Sequence, residues 1–107
     1  MVNLSHLKCI PCMGGILPLK RDKMKNLAKQ VRSWKVVKHH HLEKEFTFPD
    51  FKKALQFTDK VGALAEKEGH HPDIYLAFGK VKITTWTHKI NGLSESDFIL
   101  AAKIDKL

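Results

Sequence analysis

Apolar and polar positions alternate along the chain with two different periods. Met24, Leu27, Ala28 and Val31 recur at helical spacing and predict a short amphipathic helix over Arg21 to Val31, lysines outward. Trp34 to Lys38 and Leu42 to Phe48 read as strands; in the second, Leu42, Phe46 and Phe48 share a face with Lys44, and Glu43, Glu45 and Thr47 take the other. His39, His40 and His41 fall in or near the connection and read as a polar hairpin end. Pro49-Asp50 opens the longest helical pattern, carried by Phe51, Ala54, Leu55, Thr58, Val61, Leu64 and Ala65. Gly69 closes it and Pro72 prevents continuation. Gly62 in its middle costs about 1 kcal/mol relative to Ala, which a close backbone approach to the sheet or another helix would offset.

Ile74 to Phe78 and Lys80 to Thr87 give two further strands, linked at Gly79. In the latter, Val81, Ile83, Thr85 and Thr87 share one face, and Lys82, Thr84, Trp86 and His88 the other. Asn91-Gly92 marks a turn. Ser94 then caps a last helix, with Asp97 in a capping-box position and Phe98, Ile99, Ala102 and Ile104 as its apolar side. The order α-β-β-α-β-β-α predicts an α+β fold, an antiparallel four-stranded sheet with helices on one face. The other face must be solvated or covered, and Trp86 on it is easiest to explain if a partner or ligand meets it.

At 107 residues the expectation is one domain, residues 1–107, with a basic N-terminal arm of about residues 1–20. A chain this short buries only about 60–65% of its unfolded surface, which makes a subunit partner plausible. No apolar run approaches the roughly 18 residues of a membrane span. The opening lacks a signal-peptide layout, so the two cysteines point to a reducing, cytoplasmic setting. The formal net charge of +8 lies wholly within the first 44 residues. A basic segment can meet nucleic acid, but two arginines and the lone aromatic Trp34 in that stretch favour a solvated face instead.

Seven histidines invite a search for chemistry. Hairpin pairing about Gly79 places His70 opposite His88 and His71 opposite Thr87. Glu66, four residues before His70, lies on the last helical turn facing that junction. Three imidazoles and a carboxylate at one end of a sheet suit general acid–base catalysis near neutral pH, or simply satisfy local backbone groups. Cys9 and Cys12 have zinc-ligand spacing, but no second C-x-x-C and no suitably spaced histidine pair accompanies them, so no metal site is expected. A redox dithiol is weaker still, since Gly14-Gly15 stands where a helix should start. A P-loop, a dinucleotide-binding glycine motif and a Ser/His/Asp set are absent.

Glu66-Lys67-Glu68-Gly69-His70-His71-Pro72, then Thr87-His88, then Gly92-Leu93-Ser94-Glu95-Ser96-Asp97-Phe98 resembles the pterin-4a-carbinolamine dehydratase family. Trp34 and Phe48-x-Asp50-Phe51 extend the resemblance upstream, and Cys9-x-Pro11-Cys12-x-Gly14-Gly15 is similar to the opening of bacterial-type members. The resemblance implies a lyase that dehydrates 4a-hydroxytetrahydropterin to quinonoid dihydropterin, recycling the cofactor of aromatic amino acid hydroxylases. It implies no metal or redox cofactor, the pterin being the substrate. It places catalytic roles on His70, His71 and His88, with Glu66, Pro72, Thr87 and Trp86 binding or orienting the substrate. His70 and His88 are the expected proton-transfer pair, with His71 orienting the pterin or leaving water. It further implies a homodimer or homotetramer and a functional link to a hydroxylase. Two competing readings stand beside it: a non-catalytic binding or regulatory module on the same fold, meeting protein or nucleic acid through the basic segment, and a small zinc protein built on Cys9, Cys12 and histidines.

Overall fold

The computed structural model describes residues 4–7 and 19–107. Seven elements follow in the expected order: α1 (Arg21–Ala28), β1 (Lys35–Val37), β2 (His41–Thr47), α2 (Phe51–Glu68), β3 (Asp73–Ala77), β4 (Lys80–Thr85) and α3 (Glu95–Ile104). Short 3₁₀ turns occupy Leu4–His6 and His88–Ile90. The Cys9-x-x-Cys12 pair and Gly14-Gly15 lie outside the described residues.

The strands form one antiparallel sheet in the order β1-β2-β4-β3. Alternation along β4 sends Val81, Ile83 and Thr85 fully inward, where Leu42 of β2 joins them. Helix α2 packs on β3 and β4, and α3 packs against β2, α2 and α1. The outer face is polar, with Lys82 near Glu43 (3.7 Å) and Lys80 near Glu45 (3.6 Å). Exposed pairs of this kind keep the face wetted and stabilise it little. Among the described residues no helix is long and apolar enough to cross a membrane.

Several boundaries differ from the sequence pattern. Helix α1 stops at Ala28, because i→i−3 bonds from Gln30 (3.0 Å) and Val31 (3.1 Å) tighten its end; Val31 still reaches the core. Trp34 precedes β1 rather than opening it. It is buried and donates from Nε1 to Asp105 Oδ1 at 3.1 Å. Pro49 stands just outside α2, whose cap is Asp50, accepting from the Lys53 amide at 2.8 Å. Helix α3 is buried beyond its expected apolar side: Ser96, Asp97, Leu100 and Ala101 are enclosed as well, which makes it the central helix. Gly62 meets nothing close, so the expected tight backbone approach is not made by the described residues.

The β3–β4 register is one residue away from the expected one. Pairing centred on Gly79 needs a one-residue turn, whereas Phe78-Gly79 forms a two-residue turn that pairs Ala77 with Lys80. The shift aligns Ile74 with Ile83 and Leu76 with Val81. Extended, it sets His70 opposite Thr87 rather than His88, although the ladder ends at Asp73–Thr84 before reaching them.

Candidate active site

The site is built where α2 hands the chain to β3 and where β4 hands it to α3. Gly69 adopts the left-handed conformation (φ 65°) that ends α2, and the His70 amide then bonds back to Ala65 O at 3.2 Å. That tight exit puts His70-His71-Pro72 at the sheet's end. On the other side β4 ends at Thr85, not at the expected Thr87. Thr87 instead bridges Gly92, its amide donating to Gly92 O at 2.8 Å, and His88 begins a 3₁₀ turn closed by left-handed Asn91.

These two junctions face each other across a cleft of about 520 Å³, lined by His70, His71, Pro72, Trp86, Thr87 and His88 together with Gly69, Asp73 and Lys89. The volume suits a small bicyclic ligand. Six of the seven residues assigned to the site from the sequence thus border one cavity. Glu66 does not line it but reaches His71 from α2, where His71 Nε2 donates to Glu66 Oε2 at 2.5 Å at an exposed rim. A second cleft, of about 550 Å³, lies beside Phe46, Phe57 and Leu107. Its charges, Lys44 and Asp105, already satisfy each other at 2.8 Å.

The residue that sequence reasoning missed is Asp97. It was visible only as a helix cap, and it does cap: Ser94 N donates to its Oδ2 at 3.0 Å. The same carboxylate, fully buried, also accepts from His70 Nε2 (2.6 Å), Thr85 Oγ1 (2.7 Å) and Thr87 Oγ1 (2.8 Å). With the Thr87 proton used in this way, Ser94 Oγ donates onward to Thr87 at 2.7 Å. Four donors converge on two oxygens, as an acceptor-only carboxylate requires. A signal existed: Thr85 and Thr87, two threonines on the core face of the expected strand, need a buried polar partner.

Hydrogen-bond direction settles which nitrogen of each ring faces its carboxylate as N–H. His70 carries its proton on Nε2 toward Asp97, and its Nδ1, which meets no partner among the described residues, is left to exchange a proton with a ligand. His71 likewise presents Nε2–H to Glu66. His88 is held differently, by stacking on Trp86 with ring centroids 4.0 Å apart and planes at 17°. Trp86 in turn meets His40 at 4.4 Å, so one member of the histidine triplet stands beside the site rather than merely ending a hairpin. Two oriented imidazoles and a third on an aromatic shelf can accept and return protons around a planar guest. Among the described residues no group of three His, Cys, Asp or Glu side chains is arranged to hold a metal ion.

A sheet backed by helices on one face, with a histidine-lined cleft at the sheet's end, describes a class of small α+β proteins. The chain belongs to the family Pterin 4 alpha carbinolamine dehydratase, whose pattern matches residues 17–107. It is 59% identical over 107 residues to a relative from Alkaliphilus metalliredigens, covering 99% of this chain and 96% of the relative. It is 50% identical to another from Rubrobacter xylanophilus, covering all of both chains. Each relative carries a provisional name as pterin-4-alpha-carbinolamine dehydratase. Among solved structures, one from Brucella melitensis described as a transcriptional coactivator/pterin dehydratase is similar with a TM-score of 0.77 at 30% identity, covering 82% of this chain and 95% of that one. A pterin dehydratase-like protein described as a RuBisCO assembly factor in the alpha-carboxysome is similar with a TM-score of 0.59 at 30% identity, covering 69% of this chain and 87% of that one.

Proposed function

We propose that the protein dehydrates 4a-hydroxytetrahydropterin to quinonoid dihydropterin and water. The observation that supports this best is the cleft itself, bordered by His70, His71 and His88 in a chain of the dehydratase family. The reaction breaks the C4a–O bond and removes one ring N–H proton. Hydroxide leaves poorly, so a general acid at the oxygen and a general base at the ring nitrogen share the work, a contribution of about 10²–10⁴-fold. His70, with Nδ1 free for the ligand and Nε2 anchored on Asp97, and His88, on Trp86, form the proton-transfer pair. His71, braced by Glu66, orients the pterin or the departing water. Pro72, Thr87 and Trp86 complete the walls. Product reduction recycles a tetrahydropterin cofactor, the link to a pterin-dependent hydroxylase.

Rapid-mixing assays with synthetic 4a-hydroxytetrahydropterin test the proposal. Wild-type protein accelerates dehydration, and His70→Ala and His88→Ala each lose about 10²-fold or more. Near wild-type rates in both variants overturn the assignment. The RuBisCO assembly factor on a similar fold favours a second reading, a binding module without turnover. Wild-type protein that leaves the carbinolamine's spontaneous rate unchanged supports that reading instead.

A further inference from the structure

We propose that His40, remote in sequence from the other site residues, is a positioning residue of the same cleft that fixes the ring of His88. The inference rests on the acid–base reading above for its catalytic consequence, and on geometry alone for the positioning. His70 and His71 each end on a carboxylate, but among the described residues the side-chain contact holding the His88 ring is its stack on Trp86 at 4.0 Å. A stack leaves a ring free to slide unless the supporting ring is itself held.

His40 reaches that support by two routes. Its ring lies 4.4 Å from Trp86, tilted at 42°. Its Nε2 is 2.9 Å from Asn91 Oδ1, an acceptor, so His40 donates there. Asn91 closes the 3₁₀ turn that begins at His88, in the left-handed conformation (φ 50°), with its amide donating to His88 O at 3.2 Å. His40 therefore touches both the ring beneath His88 and the residue that ends the His88 turn.

His40 is carried by the tight turn between β1 and β2. Lys38 and His39 both adopt positive φ (52° and 55°), a conformation side chains with a Cβ rarely take, and His40 N donates to Val37 O at 2.9 Å across the turn. The ring's tautomer is fixed as well. With Nε2–H spent on Asn91, His40 Nδ1 accepts from His41 Nδ1 at 3.1 Å, and His41 Nε2 faces Glu43 Oε2 at 3.8 Å. The β2–β4 register explains the adjacency, since Leu42 pairs with Thr85 and the residues just before Leu42 fall beside Trp86.

The test uses the full chain, comparing His40→Ala, His40→Phe and Asn91→Gly. His40→Ala is expected to lower kcat for 4a-hydroxytetrahydropterin about tenfold with KM within about twofold, less than loss of His88 itself. His40→Phe keeps a ring against Trp86 and recovers most of that loss. Asn91→Gly keeps the left-handed backbone without the acceptor and loses about threefold. The readout that a merely structural role would not move is the NMR shift of the His88 ring protons, which the Trp86 ring 4.0 Å away is expected to displace upfield in the wild type. His40→Ala returns them toward random-coil positions, and His40→Phe does not. An unchanged His88 shift, or an unchanged kcat in an active enzyme, overturns the proposal. Should the wild type fail to turn over, the dehydratase reading falls and the ring shifts alone decide the positioning. Should His40→Ala not fold, Asn91→Gly and His40→Phe decide by the same two readouts.

Discussion

Asp97 and His70 meet at 2.6 Å although 27 residues separate them, and the carboxylate that grips the imidazole is also the one that starts α3. The helix, the end of β4 and the cleft wall therefore share two oxygen atoms. Local folding signals and site geometry are the same bonds here. Asp97 cannot turn away from His70 without releasing a helix cap and two threonines.

Replacing Asp97 with Asn tests that sharing. One oxygen becomes an NH₂ group, which must face either the His70 and Thr85 donors or the Thr87 and Ser94 donors. A buried donor–donor conflict is expected to cost about 2–4 kcal/mol, read by urea unfolding. Turnover falls at least tenfold, as loss of an orienting partner does elsewhere. Wild-type stability in Asp97→Asn contradicts the bond pattern.

Thr85→Val separates the anchor from the cavity wall. Valine matches the shape of threonine, and Thr85 is fully buried without lining the cleft. Asp97 Oδ1 loses one of its two donors and keeps His70. The expected loss is about 1–2 kcal/mol in unfolding free energy, with a smaller fall in turnover than Asp97→Asn shows. A larger fall in turnover than in the Asn variant contradicts the order of dependence.

Much of this arrangement was legible in the residues. The β4 alternation, the Asp50 and Gly69 boundaries of α2 and the Ser94–Asp97 cap are local patterns, and local patterns survive folding. Hairpin pairing about Gly79 brings the cleft's histidines to one end of the sheet but falls one residue from the true register, because a turn's length is not written in the positions of its apolar neighbours. Asp97 reads in the sequence as a cap alone, since its second role depends on where β4 lies in space. His40 reads as part of a polar hairpin end for the same reason. Its proximity to Trp86 follows from β2 pairing with β4, two strands separated by a helix and a further strand.

Gly79→Ala probes the turn that sets the register. Gly79 sits at φ 68°, and an added Cβ meets Phe48 O at 2.9 Å. Both the dihedral and the clash oppose a side chain, and the neighbour is backbone that cannot step aside. The Phe48 amide also bonds Gly79 O at 2.8 Å, so relief by shifting the turn loses that bond. The expected destabilisation is about 1–3 kcal/mol, seen as a lowered Tm. An unchanged Tm contradicts this turn geometry.

Gly62→Ala is expected to act in the opposite direction. Gly62 lies inside α2, has no positive φ, and its added Cβ meets nothing within 4 Å among the described residues. The substitution removes backbone freedom from the unfolded chain and adds helix propensity without a clash. Unfolding free energy should rise by about 0.5–1 kcal/mol in urea titrations. Gly62 does not line the cleft, and the substitution leaves Glu66, one turn further along α2, in place, so the dehydration rate should not change. A loss of stability that grows with protein concentration points instead to a second copy of the chain packing against this stretch of α2. In that case the glycine is kept for contact between subunits, and its cost within one chain is offset there.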